Sequence, residues 1–225
     1  MTKTIAIDGP SGSGKSSVAD RLAEMLQMAH LDTGAMYRAI TLDLLEQGIE
    51  VNDEKSVEDR LKKLDLRIEK DRVFLGERDV TARVRADDVT QNVSVVSGYR
   101  AVREKMVAMQ QKIASSADII LDGRDIGTVV LPHADLKIFL TASPEERARR
   151  RLQDKKSTSS MAYEEVLLDI RRRDQYDSTR AISPLRQAED AVCIDSSNMT
   201  IDEVVERIIQ ECNRNILVND DFVIT

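Results

Sequence analysis

A glycine-rich segment near the start of the chain has the residue types and spacing of a phosphate-binding loop. Residues 9–16 read GPSGSGKS and match the pattern G-x-x-x-x-G-K-[ST] between a strand-like and a helix-like segment. Glycines let the backbone turn its N–H groups towards an anion, and the N-terminal end of the next helix adds partial positive charge. We expect Lys15 to neutralise the β- and γ-phosphates of a nucleoside triphosphate and Ser16 to bind its Mg²⁺. The predicted triphosphate site comprises Gly9, Pro10, Ser11, Gly12, Ser13, Gly14, Lys15, Ser16 and Ser17.

Two aspartates end buried strand-like segments. Asp8 closes the first of these segments beside the glycine-rich loop, and Asp122 closes a later one. Carboxylates at strand ends face the ligand crevice of an open α/β sheet. Either aspartate is therefore a candidate to orient the water around magnesium, and the alternative for each is to cap a helix.

The chain has many arginines and no conspicuous general base. His30 and His133 are its two histidines, and because neither has a partner that suggests proton transfer, we expect both to be structural. An acceptor hydroxyl would require a base, for which Asp32 and Asp122 are the candidates. An acceptor phosphate is already an ionised nucleophile and needs mainly positioning and charge neutralisation. Arginines suited to that task are Arg38, Arg103, Arg124, those in the run 147–151, Arg173 and Arg180.

Composition narrows the class of protein. The chain has 225 residues, 41% of them apolar and 3% aromatic, with no Trp and a formal net charge of −7. These values disfavour nucleic acid or a membrane surface as a partner. Cys193 and Cys212 are too few for a disulfide framework and lack metal-ligand spacing, so we expect both in the core. We see no secretory leader or membrane-spanning run and expect a cytoplasmic monomer.

Short β-rich segments alternate with longer helical patterns, which predicts an α/β fold with a parallel sheet and crossover helices. The predicted strands are 4–8, 29–32, 119–122, 136–140 and 191–195. Thr200 and Glu203 have the spacing of a capping box, which predicts the start of the last helix. Its apolar stripe comprises Ile201, Val204, Val205, Ile208, Ile209 and Cys212.

The alternation breaks between residues 48 and 113, which predicts an inserted unit. Small antiparallel strands are expected at 64–68, 72–75 and 79–81, followed by a helix from about Val84 and a second one that contains Met106. The polar run 153–160 predicts a mobile loop. The expected organisation is a core of residues 1–47 and 114–212, a lid at about 147–165, the insertion 48–113, and a tail 213–225.

Four ordered blocks resemble the bacterial cytidylate kinase family. They are residues 8–16, 31–38, 122–130 and 173–181, and the likeness extends from residue 4 to about 212. The resemblance implies the nucleoside monophosphate kinase fold, with a five-stranded parallel sheet, a lid over ATP and a small α+β insertion that binds CMP. It also implies transfer of the γ-phosphoryl group of Mg²⁺-bound ATP to CMP or dCMP, which gives ADP and CDP or dCDP.

The resemblance assigns roles to individual residues. It places Arg38, Arg124 and Arg180 at the acceptor phosphate, Arg173 and Asp177 at the sugar, and Thr33, Ser94, Arg103 and Asp125 beside cytosine. Lys15, Arg124 and Arg180 are the predicted catalytic residues, and Arg150 and Arg151 are candidates to stack on adenine or neutralise transition-state charge. A carboxylate such as Asp125 accepts from the exocyclic amino group of cytosine, and it would repel the carbonyl oxygen of uracil.

Two alternatives remain at this point. One is a P-loop kinase for another nucleoside monophosphate or a small metabolite, which would need a base if the acceptor is a hydroxyl. The other is a nucleotide-dependent switch or an RNA-binding module. The acidic charge, the few aromatics and the absence of the Asn-Lys-x-Asp guanine motif disfavour this second class.

Overall fold

The structure is a computed structural model that describes residues 2–69, 72–153 and 162–215. Its strands are β1 Thr4–Asp8, β2 Ala29–Asp32, β3 Leu66–Glu69, β4 Arg72–Leu75, β5 Arg78–Asp79, β6 Ile119–Gly123, β7 Leu136–Thr141 and β8 Val192–Asp195. Its α-helices are α1 Lys15–Leu26, α2 Thr33–Glu46, α3 Glu54–Leu61, α4 Asp87–Val96, α5 Arg100–Ala114, α6 Pro144–Gln153, α7 Tyr163–Thr179 and α8 Ile201–Asn215.

Five parallel strands form the central sheet in the order β2-β6-β1-β7-β8, which confirms the predicted fold class. Strands β1 and β6 are apolar on both faces because helices cover both sides. The register pairs Asp8 with Gly123 and Asp32 with Asp122. The carboxyl ends of β1, β2 and β6 therefore meet at one edge of the sheet.

Two apolar clusters pack on the sheet. One contains Leu22 of α1 and Ile208 of α8, and the other joins residues of β6 and α2 to the insertion. The predicted stripe of α8 is confirmed at Val204, Val205, Ile208 and Cys212, and the capping box at Thr200 and Glu203 is present. Ile201 is instead 49% exposed, because it lies in the first turn beside a cleft. Cys193 is exposed on the edge strand β8, so its predicted place in the core is wrong.

The insertion carries its own antiparallel sheet in the order β3-β4-β5. The third strand is shorter than predicted, since its paired residues are Arg78–Asp79. A single 3₁₀ turn, Arg83–Arg85, precedes α4, and Ala86 is extended between them, so the helix begins later than the predicted Val84. One apolar cluster includes both Leu121 of the central sheet and Val93 of α4. The insertion thus packs directly on one face of the sheet.

Helices α6 and α7 lie side by side at the place of the predicted lid. Arg147 of α6 forms a two-fold hydrogen-bonded ion pair with Asp174 of α7, and Arg151 pairs with Asp169. Most of the predicted loop 153–160 lies outside the described residues, as do residues 216–225 of the predicted tail, while α8 extends to Asn215. No helix in the described ranges is long and apolar enough to cross a bilayer.

Gly9 is the position where the loop after β1 most strictly requires glycine. Its φ is +151°, and a Cβ at this position would lie 2.0 Å from the carbonyl oxygen of Leu140 on the neighbouring strand. Gly48 also has positive φ, +66°, but a Cβ there would meet nothing within 4 Å. A comparison of alanine substitutions at these two glycines therefore distinguishes the cost of a steric clash from the cost of backbone strain.

We expect Gly9→Ala to lower the free energy of unfolding by about 3 kcal/mol, because β1 and β7 must separate to accommodate the methyl group. Gly48→Ala, the control, should cost about 1–2 kcal/mol from left-handed backbone strain alone. Urea denaturation of both variants measures the difference. Equal losses would show that Leu140 does not restrict this position.

Candidate active site

A cleft of about 660 Å³ opens at the carboxyl ends of β1, β2 and β6. It is lined by these predicted site residues: Ser11, Gly12, Ser13, Gly14, Lys15, Ser16, Ser17, Thr33, Arg38, Ser94, Arg103, Arg124, Asp125, Arg150, Arg151, Arg173, Asp177 and Arg180. Gly9 and Pro10 do not line it, because Gly9 packs against Leu140 and Pro10 faces the opposite side of the loop. One cleft thus brings together residues spread over most of the chain.

The phosphate-binding loop leads directly into α1, whose N-cap is Gly14 in the left-handed conformation. Lys15 Nζ donates to the carbonyl oxygen of Pro10 at 2.7 Å. Burial, together with the charge of the nearby Arg124, lowers the pKa of Lys15 to about 7. A phosphate anion in the cleft would favour the charged amine. Lys15 is therefore suited to a strongly anionic ligand.

Asp8 has the capping role that the sequence left open. Its carboxylate accepts from the backbone N–H groups of Ile126 and Gly127, at 2.8 and 2.7 Å. Burial raises the pKa of Asp8 to about 6, even though these two hydrogen bonds lower it. Asp8 therefore fixes the segment after β6, and of the two aspartates only Asp122 remains a candidate for magnesium.

Asp122 contacts the first helix and a histidine. Its Oδ2 accepts from Ser16 Oγ at 3.0 Å, and its Oδ1 lies 2.8 Å from His30 Nε2. The other ring nitrogen of His30 lies 2.7 Å from Asp20 Oδ1. These partners of His30 could not be recognised from the sequence, because they lie 10 and 92 residues away in the chain. Burial lowers the pKa of His30, but the hydrogen bonds and charges of Asp122 and Asp20 raise it to about 10.

Oxygen ligands for a divalent cation meet at this point. Ser16 and Asp122 offer a hydroxyl and a carboxylate side by side, which suits Mg²⁺, a hard cation that binds through one or two protein oxygens plus substrate phosphates. Within the described ranges, no group of three or more His, Cys, Asp or Glu side chains is arranged to hold a metal ion. The residues present thus fit a metal that is held jointly with the triphosphate.

Asp32 holds two arginines at the acceptor end of the cleft. Arg38 donates to Asp32 at 2.8 Å and Arg85 at 3.3 Å, while the other carboxylate oxygen caps α2 by accepting from the backbone N–H of Ala35. Burial raises the pKa of Asp32, but the charges of Arg38 and Arg85 outweigh it and hold the pKa at about 2. Asp32 is thus a poor base. Arg85 was not predicted as a site residue, because its sequence neighbourhood does not distinguish it from Arg83. The partner of Arg83 is Asp88 on the surface.

Three further arginines lie between this end and the phosphate loop. Arg124 Nε donates to Asp177 at 2.9 Å. Arg180 Nε donates to the carbonyl oxygen of Ser183 at 2.8 Å, and its Nη2 lies 3.8 Å from Asp125. Burial and the nearby charge of Arg124 lower the pKa of Arg173 to about 10. Three positive groups are therefore crowded together, in the arrangement that a phosphate ligand stabilises.

Asp125 and Arg103 form a buried pair in the acceptor half. Arg103 Nη2 donates to Asp125 Oδ2, and both side chains are at most 5% exposed. The Arg103 guanidinium lies over the ring of Tyr37, 5.4 Å from its centroid. The Thr33 hydroxyl donates to the carbonyl oxygen of Asp122 at 2.6 Å, which leaves its oxygen lone pairs as acceptors. These groups supply polar contacts beside an aromatic face.

The opposite end of the cleft is partly apolar. Met199 and Ile201 line it beside the phosphate-binding loop, and the role of Ile201 was missed because the whole apolar stripe of α8 was expected in the core. Arg150 lies across the loop, where it donates to the carbonyl oxygens of Ser13 and Ser196. An apolar surface next to an arginine fits a planar base at this end.

Comparison with known proteins gives consistent matches over nearly the whole chain. The family model described as cytidylate kinase matches residues 5–214. The cytidylate kinase of Shouchella clausii is 51% identical over 210 residues, covering 91% of this chain and 93% of the relative. That of Caldanaerobacter subterraneus is 49% identical over 216 residues, covering 96% of both.

Solved structures show the same fold at low identity. A gluconokinase from Sinorhizobium meliloti superimposes with a TM-score of 0.52 at 15% identity, covering 97% of this chain and 98% of its own. A shikimate kinase from Bacteroides thetaiotaomicron gives 0.51 at 12% identity, covering 94% and 98%. At this identity the likeness is evidence for the fold alone.

The raised pKa of His30 gives a pH-dependent contribution to stability. The stabilisation is fully present below about pH 6.5, the pKa of an unfolded histidine, and is lost as the pH rises through about 10. We expect the excess unfolding free energy of the unaltered protein over His30→Gln to fall by on the order of 1–2 kcal/mol across this range. Urea denaturation of both proteins at pH 6, 8 and 10 measures it. A difference that stays constant with pH would contradict a charged His30.

Proposed function

The chain belongs to the cytidylate kinase family, and we propose that its cleft works by aligning two phosphates with arginines and without a general base. The protein transfers the γ-phosphoryl group of ATP to CMP or dCMP, giving ADP and CDP or dCDP. The observation that carries the proposal is that Arg38, Arg124 and Arg180 line one cleft with Lys15.

The donor half binds ATP through the loop 11–17 and the N-terminal end of α1. Lys15 neutralises the β- and γ-phosphates, and the apolar residues at the start of α8 accept the adenine, with Arg150 beside it. Ser16 and Asp122 would hold Mg²⁺. When bound there, the metal would supply positive charge to offset the negative charge that develops during transfer.

In the acceptor half, Arg38, Arg124 and Arg180 bind the phosphate of CMP, with Arg85 beside Arg38. An oxygen of this phosphate attacks the γ-phosphorus, a new P–O bond forms, and the bond to the β,γ-bridging oxygen breaks to release ADP. The attacking oxygen is already ionised, so no proton has to move. Neither candidate base is available to accept a proton, because Asp32 is paired with arginines and Asp122 is hydrogen-bonded to Ser16 and His30.

Cytosine binds beside the Asp125–Arg103 pair. We infer that Asp125 accepts from the exocyclic amino group, while Arg103 and Ser94 complete the polar surface. Arg173 and Asp177 lie next to Arg124, where the sugar joins base to phosphate. Uracil would place a carbonyl oxygen against a carboxylate, and a buried acceptor left unpaired discriminates strongly.

We propose that two parts of the chain, the insertion and the lid, close over the two nucleotides. Residues 1–47 and 114–212 act as the core, the insertion 48–113 supplies Arg85, Ser94 and Arg103 to the acceptor side, and the segment of about 147–165 acts as a lid on the donor side. Closure would exclude water, which would otherwise consume ATP by hydrolysis. We propose a monomer, since one chain provides residues for both halves, and a cytoplasmic location, where both nucleotides occur.

Asp125→Asn tests the base choice. Because the amide removes the charge and presents an N–H donor, we expect kcat/KM for CMP to fall on the order of 100-fold. The Kd for ATP should change less than twofold. Coupled ADP-release assays with CMP, dCMP, UMP and AMP, plus calorimetry with ATP, give both numbers. Unchanged CMP kinetics would remove Asp125 from the site, and AMP or UMP outpacing CMP in the unaltered protein would contradict the assigned acceptor.

Arg124→Lys tests the aligned guanidiniums. A lysine keeps the charge but cannot hold Asp177 and phosphate in a fixed fork, so we expect kcat to fall on the order of 100-fold. Arg149→Lys is the matched control, because Arg149 is 61% exposed on α6. Steady-state kinetics with CMP and thermal unfolding compare the two. Similar kcat values in both variants would contradict a role for the Arg124 fork in transfer.

A further inference from the structure

Four side chains beside the phosphate-binding loop form a circuit that is completed by three hydrogen bonds and by one turn of the α1 backbone. Ser16 and Asp20 lie one turn apart on α1 and therefore share a face of that helix. Ser16 Oγ donates to Asp122 Oδ2 at 3.0 Å, and His30 spans the remaining gap, with its Nε2 2.8 Å from Asp122 Oδ1 and its Nδ1 2.7 Å from Asp20 Oδ1. The circuit joins α1, β2 and β6 next to the expected metal.

The geometry defines what His30 does in this circuit. An ionised carboxylate only accepts hydrogen bonds, so both ring nitrogens must donate, and a histidine with two N–H donors is an imidazolium. Its side chain is 13% exposed, and that of Asp122 is 5% exposed. Each oxygen of the buried Asp122 thus has one donor: His30 on Oδ1 and Ser16 on Oδ2.

The orientation of Asp122 matters because its terminal torsion has no sharp preference of its own. The χ2 angle of an aspartate is broad and roughly two-fold. Ser16 alone leaves the carboxylate free to rotate about a single hydrogen bond. The hydrogen bond to Asp20 orients the ring of His30. The ring in turn fixes the plane of the Asp122 carboxylate and keeps its Oδ2 beside the Ser16 hydroxyl.

We propose that His30 is a positioning residue, which holds Asp122 in the orientation that the Mg²⁺–triphosphate site requires. The proposal rests on the placement of Mg²⁺ at Ser16 and Asp122 given above. His30 touches neither nucleotide in this role, and it acts through Asp122 alone. Outer partners that orient a metal-binding side chain are typically worth 10- to 100-fold in metal affinity.

The test is the metal dependence of ADP affinity, measured by calorimetry as the Kd without metal divided by the Kd with saturating Mg²⁺. We expect His30→Leu to lower this ratio about tenfold. His30→Gln should recover most of it, since its amide N–H can still reach Asp122. The Kd for CMP should stay unchanged in both variants. His133→Leu, the same change at the exposed histidine, should keep the ratio of the unaltered protein.

A positioning role and a purely electrostatic role of His30 predict changes of this Kd ratio in opposite directions. Removing the imidazolium makes the site more negative, so charge alone would raise the ratio in both His30→Leu and His30→Gln. A raised or unchanged ratio would overturn the proposal, and so would a parallel loss of CMP binding, which indicates general damage. If His30→Leu does not fold, His30→Asn, too short to span both carboxylates, replaces it under the same criteria.

Asp122→Asn separates failure of this inference from failure of the proposed metal site. If Asp122→Asn keeps the ratio of the unaltered protein, the metal is not at Asp122 and both ideas fall. If Asp122→Asn lowers the Kd ratio while His30→Leu leaves it unchanged, the proposed metal site is supported and only the role of His30 is wrong.

Discussion

Arginine guanidinium groups repel one another, yet this protein gathers many of them in one cleft by tethering them to buried carboxylates. Two unit charges 4 Å apart interact by about 4 kcal/mol at an effective dielectric constant of 20, so untethered cations would turn away from each other. Asp32 holds Arg38 and Arg85, Asp177 holds Arg124, and Asp125 holds Arg103. Asp32 ends β2, Asp125 follows β6 and Asp177 lies on α7, so the end of the sheet and α7 together fix the arginines.

The tethers leave some hydrogen-bond donors unused. Among the described residues, Arg38 Nε, Arg173 Nε and Arg180 Nη2 are buried without a hydrogen-bond partner. A buried donor of this kind costs about 1–3 kcal/mol, and phosphate oxygens would offset that cost. The cleft is thus preorganised for anions, which is the form of catalysis that phosphoryl transfer to a phosphate needs. The same tethers keep Asp32 ionised and occupied, which is why a base is absent where a hydroxyl acceptor would require one.

The sequence alone predicted those features that depend on residues close together in the chain. The phosphate-binding loop, the five strands and the capping box at Thr200 depend on neighbouring residues, and the structure has all of them. The four blocks shared with the family also contain about half of the residues that line the cleft. The insertion was recognised from a break in the alternation, although its third strand and its first helix were placed with errors of a few residues.

Features that depend on distant pairs were not predictable. His30 and Asp122 are 92 residues apart, and Arg85 and Asp32 are 53 apart, so no spacing pattern joins them. Asp8 was ambiguous because a carboxylate at a strand end can face a ligand or cap backbone N–H groups, and only the path of residues 126 and 127 decides. The apolar end of the cleft was read as core, since a stripe on α8 does not say which of its residues stay uncovered.

A crystal structure with CMP, ADP, Mg²⁺ and a planar phosphoryl mimic such as aluminium fluoride would test the central claim most directly. We expect guanidinium nitrogens of Arg38, Arg124 and Arg180 at about 2.7–3.2 Å from the oxygens of the CMP phosphate or the mimic, with no carboxylate oxygen within hydrogen-bond reach of the attacking oxygen. A carboxylate of Asp32 or Asp122 bonded to the attacking oxygen, with the three arginines directed away from it, would contradict transfer without a base.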